Sequence, residues 1–179
     1  MNIPLNCMNV YTTPKQAEQI NKIILKYVDK NSIITDATSC IGGNSILFSR
    51  DFKKVICIEK DFNIYKILKS NMIKQNNSEC YNASYNIVKF ILKQNVIFID
   101  PPWGGNNYKN KKNVKLYLDS IDIQYIINEV YNFTDIVVLK TPLNFDTTTL
   151  NNLFWSYVFY PIIKYNKPIY NIIVFYKQA

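Results

Sequence analysis

Three times in the first hundred residues a short β-branched run closes on an acid: Ser32-Ile33-Ile34-Thr35-Asp36, Val55-Ile56-Cys57-Ile58-Glu59 and Val96-Ile97-Phe98-Ile99-Asp100. Short apolar runs without polar alternation read as strands covered on both faces, the pattern of a parallel sheet. Helical patterns separate them. Thr13 stands as an N-cap with Pro14 in the first helical position, and Ala17, Ile20, Ile23, Ile24, Tyr27 and Val28 follow on one face. Residues 45–50 and 63–72 are predicted helices, the second with Ile64, Ile67, Leu68 and Met72 inward. Further helices are expected over 85–93 and 121–131, a weak strand over 79–82, and a strand over 136–139. This alternation predicts an α/β fold, a mostly parallel sheet with helices on both faces. The C-terminus breaks the pattern: residues 155–160 and 170–176 are two β-rich runs joined by a Pro/Asn/Lys segment, expected as an antiparallel pair at one side of the sheet. With 179 residues the chain is expected to form one domain, 1–179.

The absence of histidine narrows the chemistry more than any residue present. Without it there is no Ser/His/Asp or Cys/His nucleophile and no usual neutral-pH base. Cys7, Cys40, Cys57 and Cys80 form no CxxC pair, so no metal site is expected. Chemistry is left to carboxylates, backbone groups, aromatic faces or a reactive cofactor. A net charge of +8 and a pI near 9.2 suit a polyanion such as nucleic acid, although an AT-rich genome would raise Lys, Asn and Ile in the same way. No apolar run reaches the ~18 residues of a membrane span, and no signal sequence opens the chain, so an intracellular protein with reduced thiols is expected.

All four glycines fall in two pairs, Gly42-Gly43 and Gly104-Gly105, each just past the carboxyl end of a predicted strand. Open α/β sheets bind ligands in the crevice outside those ends. An acid closing the second strand, Glu59, can accept two hydrogen bonds from a ribose diol. The segment Asp36-Ala37-Thr38-Ser39-Cys40-Ile41-Gly42-Gly43-Asn44 departs from GxGxxG, so a nucleoside cofactor without a pyrophosphate fits better than a dinucleotide. Trp103, held between prolines and glycines, offers a rigid face on which a base can stack, although a core tryptophan is the competing reading.

Together, Thr13-Pro14, DATSCIGGN (36–44), VICIEKD (55–61) and IDPPWGGNNYK (99–109) resemble the trimethylguanosine synthases, cap guanosine N2 methyltransferases of the class I S-adenosylmethionine-dependent group. The resemblance runs from about Asn9 to the terminal β pair. It implies a Rossmann-like fold with a mostly parallel seven-stranded sheet and a C-terminal antiparallel pair, S-adenosyl-L-methionine as cofactor, and a 7-methylguanosine-capped RNA as substrate. It implies that Thr13 contacts the methionine end of the cofactor, that Asp36 with Gly42, Gly43 and Asn44 holds its amino-acid part, and that Glu59 takes the ribose. Asn82 stands where the family has an acid at the adenine edge. Asp100, Pro101 and Pro102 would lie beside the amine, and Trp103 would stack on the purine. Gly104, Tyr108, Lys109 and Asn144 complete the expected substrate side, Asn144 falling in Pro142-Leu143-Asn144 where the family has Pro-Arg-Asn. Residues 106–115, with Lys109, Lys111, Lys112 and Lys115, are expected to be a mobile basic loop that meets RNA phosphates. The enzyme would be monomeric or paired with a partner subunit. Two rivals share these residues: an adenine N6 methyltransferase on RNA or DNA, and an inactive methyltransferase-fold subunit that binds RNA or stimulates a partner.

Overall fold

The computed structural model describes residues 1–4, 11–151 and 153–178. Asn9 and Cys7 lie outside the described residues. Among these residues the main sheet has seven strands: β1 (Ile33–Asp36), β2 (Lys54–Glu59), β3 (Ser78–Asn82), β4 (Val96–Ile99), β7 (Ile136–Thr141), β8 (Ser156–Lys164) and β9 (Lys167–Tyr176). Their order is β3-β2-β1-β4-β7-β9-β8, with the first five parallel and β9 antiparallel to both neighbours. A two-stranded ribbon, β5 (Tyr117–Leu118) and β6 (Ile121–Asp122), stands apart.

Helices α1 (Pro14–Ile24), α2 (Ser45–Asp51), α3 (Phe62–Met72), α4 (Tyr85–Val88) and α5 (Ile123–Glu129) cover the sheet. The strand pleat sends alternate residues to opposite cores. Ile97 and Ile99 of β4 join Ile123, Ile126 and Ile127 of α5. Val96 and Phe98 join Ile20 and Ile24 of α1, Phe48 of α2 and Leu68 of α3. Both faces of β4 and β7 are therefore buried, as the unbroken apolar runs require.

Four boundaries depart from the sequence pattern, the first being α1, which ends at Ile24 and leaves Tyr27 and Val28 beyond the helix. The expected helix over 85–93 stops at Val88 because the Gln94 side chain donates to the Lys89 carbonyl at 3.1 Å and to Tyr85 Oη at 3.2 Å, turning the chain inward. The expected helix over 121–131 starts two residues later, where Asp122 accepts from the Gln124 N–H at 3.1 Å as N-cap. The terminal pair is a longer hairpin than the prolines suggested. Pro161 lies on the edge strand β8, where a missing N–H is tolerated, and Pro168 sits at a register shift beyond the reach of β7.

Candidate active site

Three carboxylates stand at the carboxyl ends of adjacent strands: Asp36 closes β1, Glu59 closes β2 and Asp100 follows β4. Asp36 is fully buried; its Oδ2 accepts from Ser45 Oγ at 2.6 Å, while Oδ1 has no partner among the described residues. Burial pushes its carboxyl up to about 7 against the hydrogen bonds from Ser45 and the Thr38 backbone. Glu59 is also raised by burial, its oxygens accepting the N–H of Cys40 at 3.0 Å and of Asp61 at 2.8 Å. These bonds fix the carboxylate but leave lone pairs for a ligand.

The turn between Asp36 and α2 is built to let other chain segments close on it. Ser39 Oγ donates to the Asp36 carbonyl at 2.9 Å and accepts the Ile58 N–H at 3.1 Å, tying the ends of β1 and β2 together. A Cβ on Gly43 would stand 2.9 Å from the Thr12 carbonyl oxygen, so only glycine admits the approach of Tyr11 and Thr12. Asn44 Nδ2 donates to Thr12 Oγ1 at 3.2 Å, and its buried Oδ1 lacks a partner among the described residues. Thr13 is the N-cap of α1, its N–H donating to Gln16 Oε1 at 3.1 Å. Gly42 takes a φ of +93° that would strain any side chain. Asn82 pairs in register with Glu59, but its amide nitrogen donates to the carbonyls of Glu59 at 2.9 Å and Lys60 at 3.0 Å. That group props the exit of β2, leaving the Asn82 oxygen for a ligand.

On the other side, the register of β4 on β7 sets Ile99 against Leu139 and so brings Asp100 to Lys140. Lys140 is buried, and its ammonium bonds Asp100 Oδ2 at 2.6 Å and Thr12 Oγ1 at 3.2 Å. It also faces the rings of Tyr170, 4.7 Å from the centroid, and Trp103, 5.6 Å. Burial holds the Asp100 carboxyl above its ordinary range, with Lys140 pulling the other way. The Asp100 N–H donates to Thr38 Oγ1 at 2.8 Å, locking the start of the Pro101-Pro102 segment. Pro101 is buried and Pro102 exposed.

Trp103 is half-buried between two tyrosines, with ring centroids 5.2 Å from Tyr108 and 6.1 Å from Tyr170, both edge-on. Its Nε1 and the Tyr170 hydroxyl are buried without partners among the described residues. Gly104 and Gly105 have φ of +94° and +70°, and they open a 3-10 helix, Gly105–Asn110. The expected mobile loop is thus a defined turn in its first part: Asn144 Nδ2 donates to the carbonyls of Tyr108 at 2.9 Å and Lys111 at 2.7 Å, and Val114 bridges Phe145. Lys109, Lys111, Lys112 and Lys115 nonetheless all point to solvent. Sequence reasoning missed Lys140, Thr12 and Tyr170; the available signal was a lone lysine ending the apolar run of β7.

The donor and acceptor pattern could hold the ammonium and ribose groups of S-adenosylmethionine. Buried acceptors without a donor, Asp36 Oδ1 and Asn44 Oδ1, suit an ammonium, and the Glu59 carboxylate suits a diol. A mostly parallel sheet with an antiparallel β9 inserted beside β7, and a crevice of strand-end acids, define a class I methyltransferase fold. The chain belongs to the RNA cap guanine-N2 methyltransferase family, which it matches over residues 31–171. It is 34% identical over 155 residues to an uncharacterized protein of Acanthamoeba polyphaga mimivirus; the match takes in 81% of this chain and 60% of that protein, so the chain spans about three fifths of its relative. Among solved structures, an rRNA methylase from Streptococcus thermophilus is similar with a TM-score of 0.60 at 13% identity, over 89% of this chain and 95% of that one. A Streptococcus mutans protein solved in complex with SAH has a TM-score of 0.60 at 14% identity, over 92% and 99%. At these identities the likeness speaks to the fold. Among the described residues no group of acids and cysteines could hold a metal, and no helix is long and apolar enough to cross a membrane.

Proposed function

We propose that the protein transfers a methyl group from S-adenosylmethionine to the exocyclic N2 of a 7-methylguanosine RNA cap. The observation that carries this reading is the half-buried indole of Trp103, set beside the ion-paired Asp100 at the end of β4. S-adenosylmethionine, held by Asp36, Asn44 and Glu59 with the Thr12-Thr13 segment closing over them, would supply an activated methyl on a sulfonium, so no strong base is required. In a protein of net charge +8, a crevice with three carboxylates and one lysine favours cationic ligands.

Trp103 presents the open part of its ring to the purine, and a cationic 7-methylguanine adds a cation–π attraction to the stacking. Asp100, fixed by Lys140 and Thr38, accepts a hydrogen bond from the amine and orients its lone pair. The amine proton leaves late, to Asp100 or to solvent. The rigid Pro101-Pro102 segment fixes the backbone between Asp100 and Trp103, and positioning supplies most of the acceleration. Tyr108, Lys109 and Asn144 support the platform, Asn144 by clamping the turn that carries the other two.

The test compares methyl transfer to a 7-methylguanosine cap analogue, the same cap without the 7-methyl group, and an adenine-containing oligonucleotide. Transfer to the first, with the second much slower, supports the proposal. Transfer to the adenine oligonucleotide alone favours the adenine N6 reading. Binding of RNA without binding of S-adenosylmethionine, measured by calorimetry, favours an inactive subunit.

A further inference from the structure

The hairpin of β8 and β9 runs past the sheet on the side where the candidate active site lies. β7 ends at Thr141, opposite Asn171, but the pairing of β8 with β9 continues through Ile162↔Tyr170 and Ile163↔Pro168 to Lys164↔Lys167. Ile162 and Tyr170 are buried at its root, and residues 163–168 are all exposed. The arm springs from beside the platform, because Tyr170 is the residue whose ring approaches Trp103. Tyr165 follows Ile162, the partner of Tyr170, by three residues, so at the ~3.3 Å rise of a strand the tip stands roughly 10 Å beyond that pair.

The arm is braced. The Gln19 side chain of α1 pairs with both backbone groups of Ile163, donating to its carbonyl and accepting its N–H at 3.3 Å each. The tip is a two-residue turn with φ of +50° at Tyr165 and +58° at Asn166, the conformation that suits the twist of a hairpin. Asn is at home there, whereas a tyrosine is strained by its Cβ. That tyrosine is 88% exposed, so the fold gains little from its ring. Lys164 and Lys167 flank it, and the Lys164 ammonium lies 5.4 Å from the ring centroid.

An exposed aromatic between two cations, on a braced arm, is the composition that grips single-stranded nucleic acid: bases stack on the ring and phosphates meet the ammonium groups. We infer that the tip Lys164-Tyr165-Asn166-Lys167 holds the RNA chain beyond the reacting guanine, Tyr165 stacking on a base and the lysines contacting phosphates. Lys109, Lys111, Lys112 and Lys115 form the second wall, since Trp103 lies between Tyr108 on that turn and Tyr170 on the arm. The inference deepens the cap methyltransferase reading and rests on it for the identity of the RNA end.

The test measures binding of the full chain to a labelled capped RNA long enough to pass the tip, across a range of salt, alongside methyl transfer to a cap dinucleotide too short to reach it. Tyr165→Asn removes the ring while suiting the left-handed backbone, so the melting temperature should hold. Affinity for the capped RNA should fall about ten-fold, and dinucleotide transfer should match wild type. Lys164→Ala with Lys167→Ala should lower the slope of log affinity against log salt by about 1.4, the value for two phosphates on a single strand. Unchanged RNA affinity and slope in both variants would overturn the inference. A lowered slope with no effect of Tyr165→Asn would overturn the stacking grip and leave a bare cation site. If RNA binding depends on the tip but no methyl reaches any cap, the arm stands and the cap reading fails.

Discussion

The two halves of the sheet present opposite surfaces to the same crevice. The half made of β1 and β2 ends in a buried and a half-buried carboxylate whose partners are backbone N–H groups and a serine hydroxyl. The half made of β7, β9 and the segment after β4 ends in rings, with Trp103 and Tyr170 around one buried ammonium and Tyr108 edge-on against the indole. The first half is shaped for hydroxyl and ammonium donors. The second, on the proposed reading, receives a flat ring. Asp100 and Lys140 stand at the seam, and the difference teaches that cofactor and acceptor functions should be separable by mutation.

The largest effect should come from the platform. Trp103→Ala is expected to abolish measurable transfer while leaving S-adenosylmethionine affinity nearly intact, and Trp103→Phe to keep part of the activity. Parallel loss of cofactor binding with a large drop in melting temperature would show instead that the indole, which packs on both cores, serves the fold.

At the seam, Lys140→Met leaves Asp100 buried and unpaired and should cost about 3 to 5 kcal/mol of stability by denaturant unfolding, with most of that recovered when Asp100→Asn is added. Full additivity of the two changes would break the pairing. On the cofactor half, Glu59→Ala should weaken S-adenosylmethionine binding by roughly 1.5 to 3 kcal/mol in calorimetry without changing affinity for a cap analogue. A loss confined to cap affinity would reverse the assignment of the two halves.

Asp36 gives a pH signature. Its folded carboxyl is pushed up to about 7, above the ~3.9 of an unfolded chain, so the folded state holds the proton more tightly. Its contribution to stability is therefore full below about 4 and is lost as pH rises to about 7. A ligand ammonium favours the charged form, so cofactor affinity should rise with pH through that window. Asp36→Asn should flatten both profiles, and profiles unchanged by the substitution would contradict the burial argument. The smallest effect is expected at the turn: neutralising Lys109, Lys111 and Lys112 should lower the salt slope of RNA binding by about 2, with cofactor affinity untouched.

The acids were legible because strand-end signals are local: a β-branched run, an acid and a polar turn are read within ten residues at Asp36, Glu59 and Asp100. The glycine pairs were legible for the same reason, since Gly42, Gly104 and Gly105 do adopt positive φ. Lys140 was not legible, because it lies 40 residues from Asp100 and meets it only through the register of β4 on β7. The arm was hidden by Pro161 and Pro168, which read as breakers until their places on an edge strand and at a register shift are known. Asn82 and Asn144 were placed near the site by sequence, but tertiary contacts give their amide nitrogens to backbone carbonyls.

The most direct test of the account is the position of the methyl on the product. After reaction of the full chain with labelled S-adenosylmethionine and a 7-methylguanosine-capped RNA, the RNA is digested and the labelled nucleoside identified by mass and chromatography. The account predicts label on the exocyclic N2 of the 7-methylguanosine. Label on adenine N6, or none in any nucleoside while the cofactor binds, would contradict it.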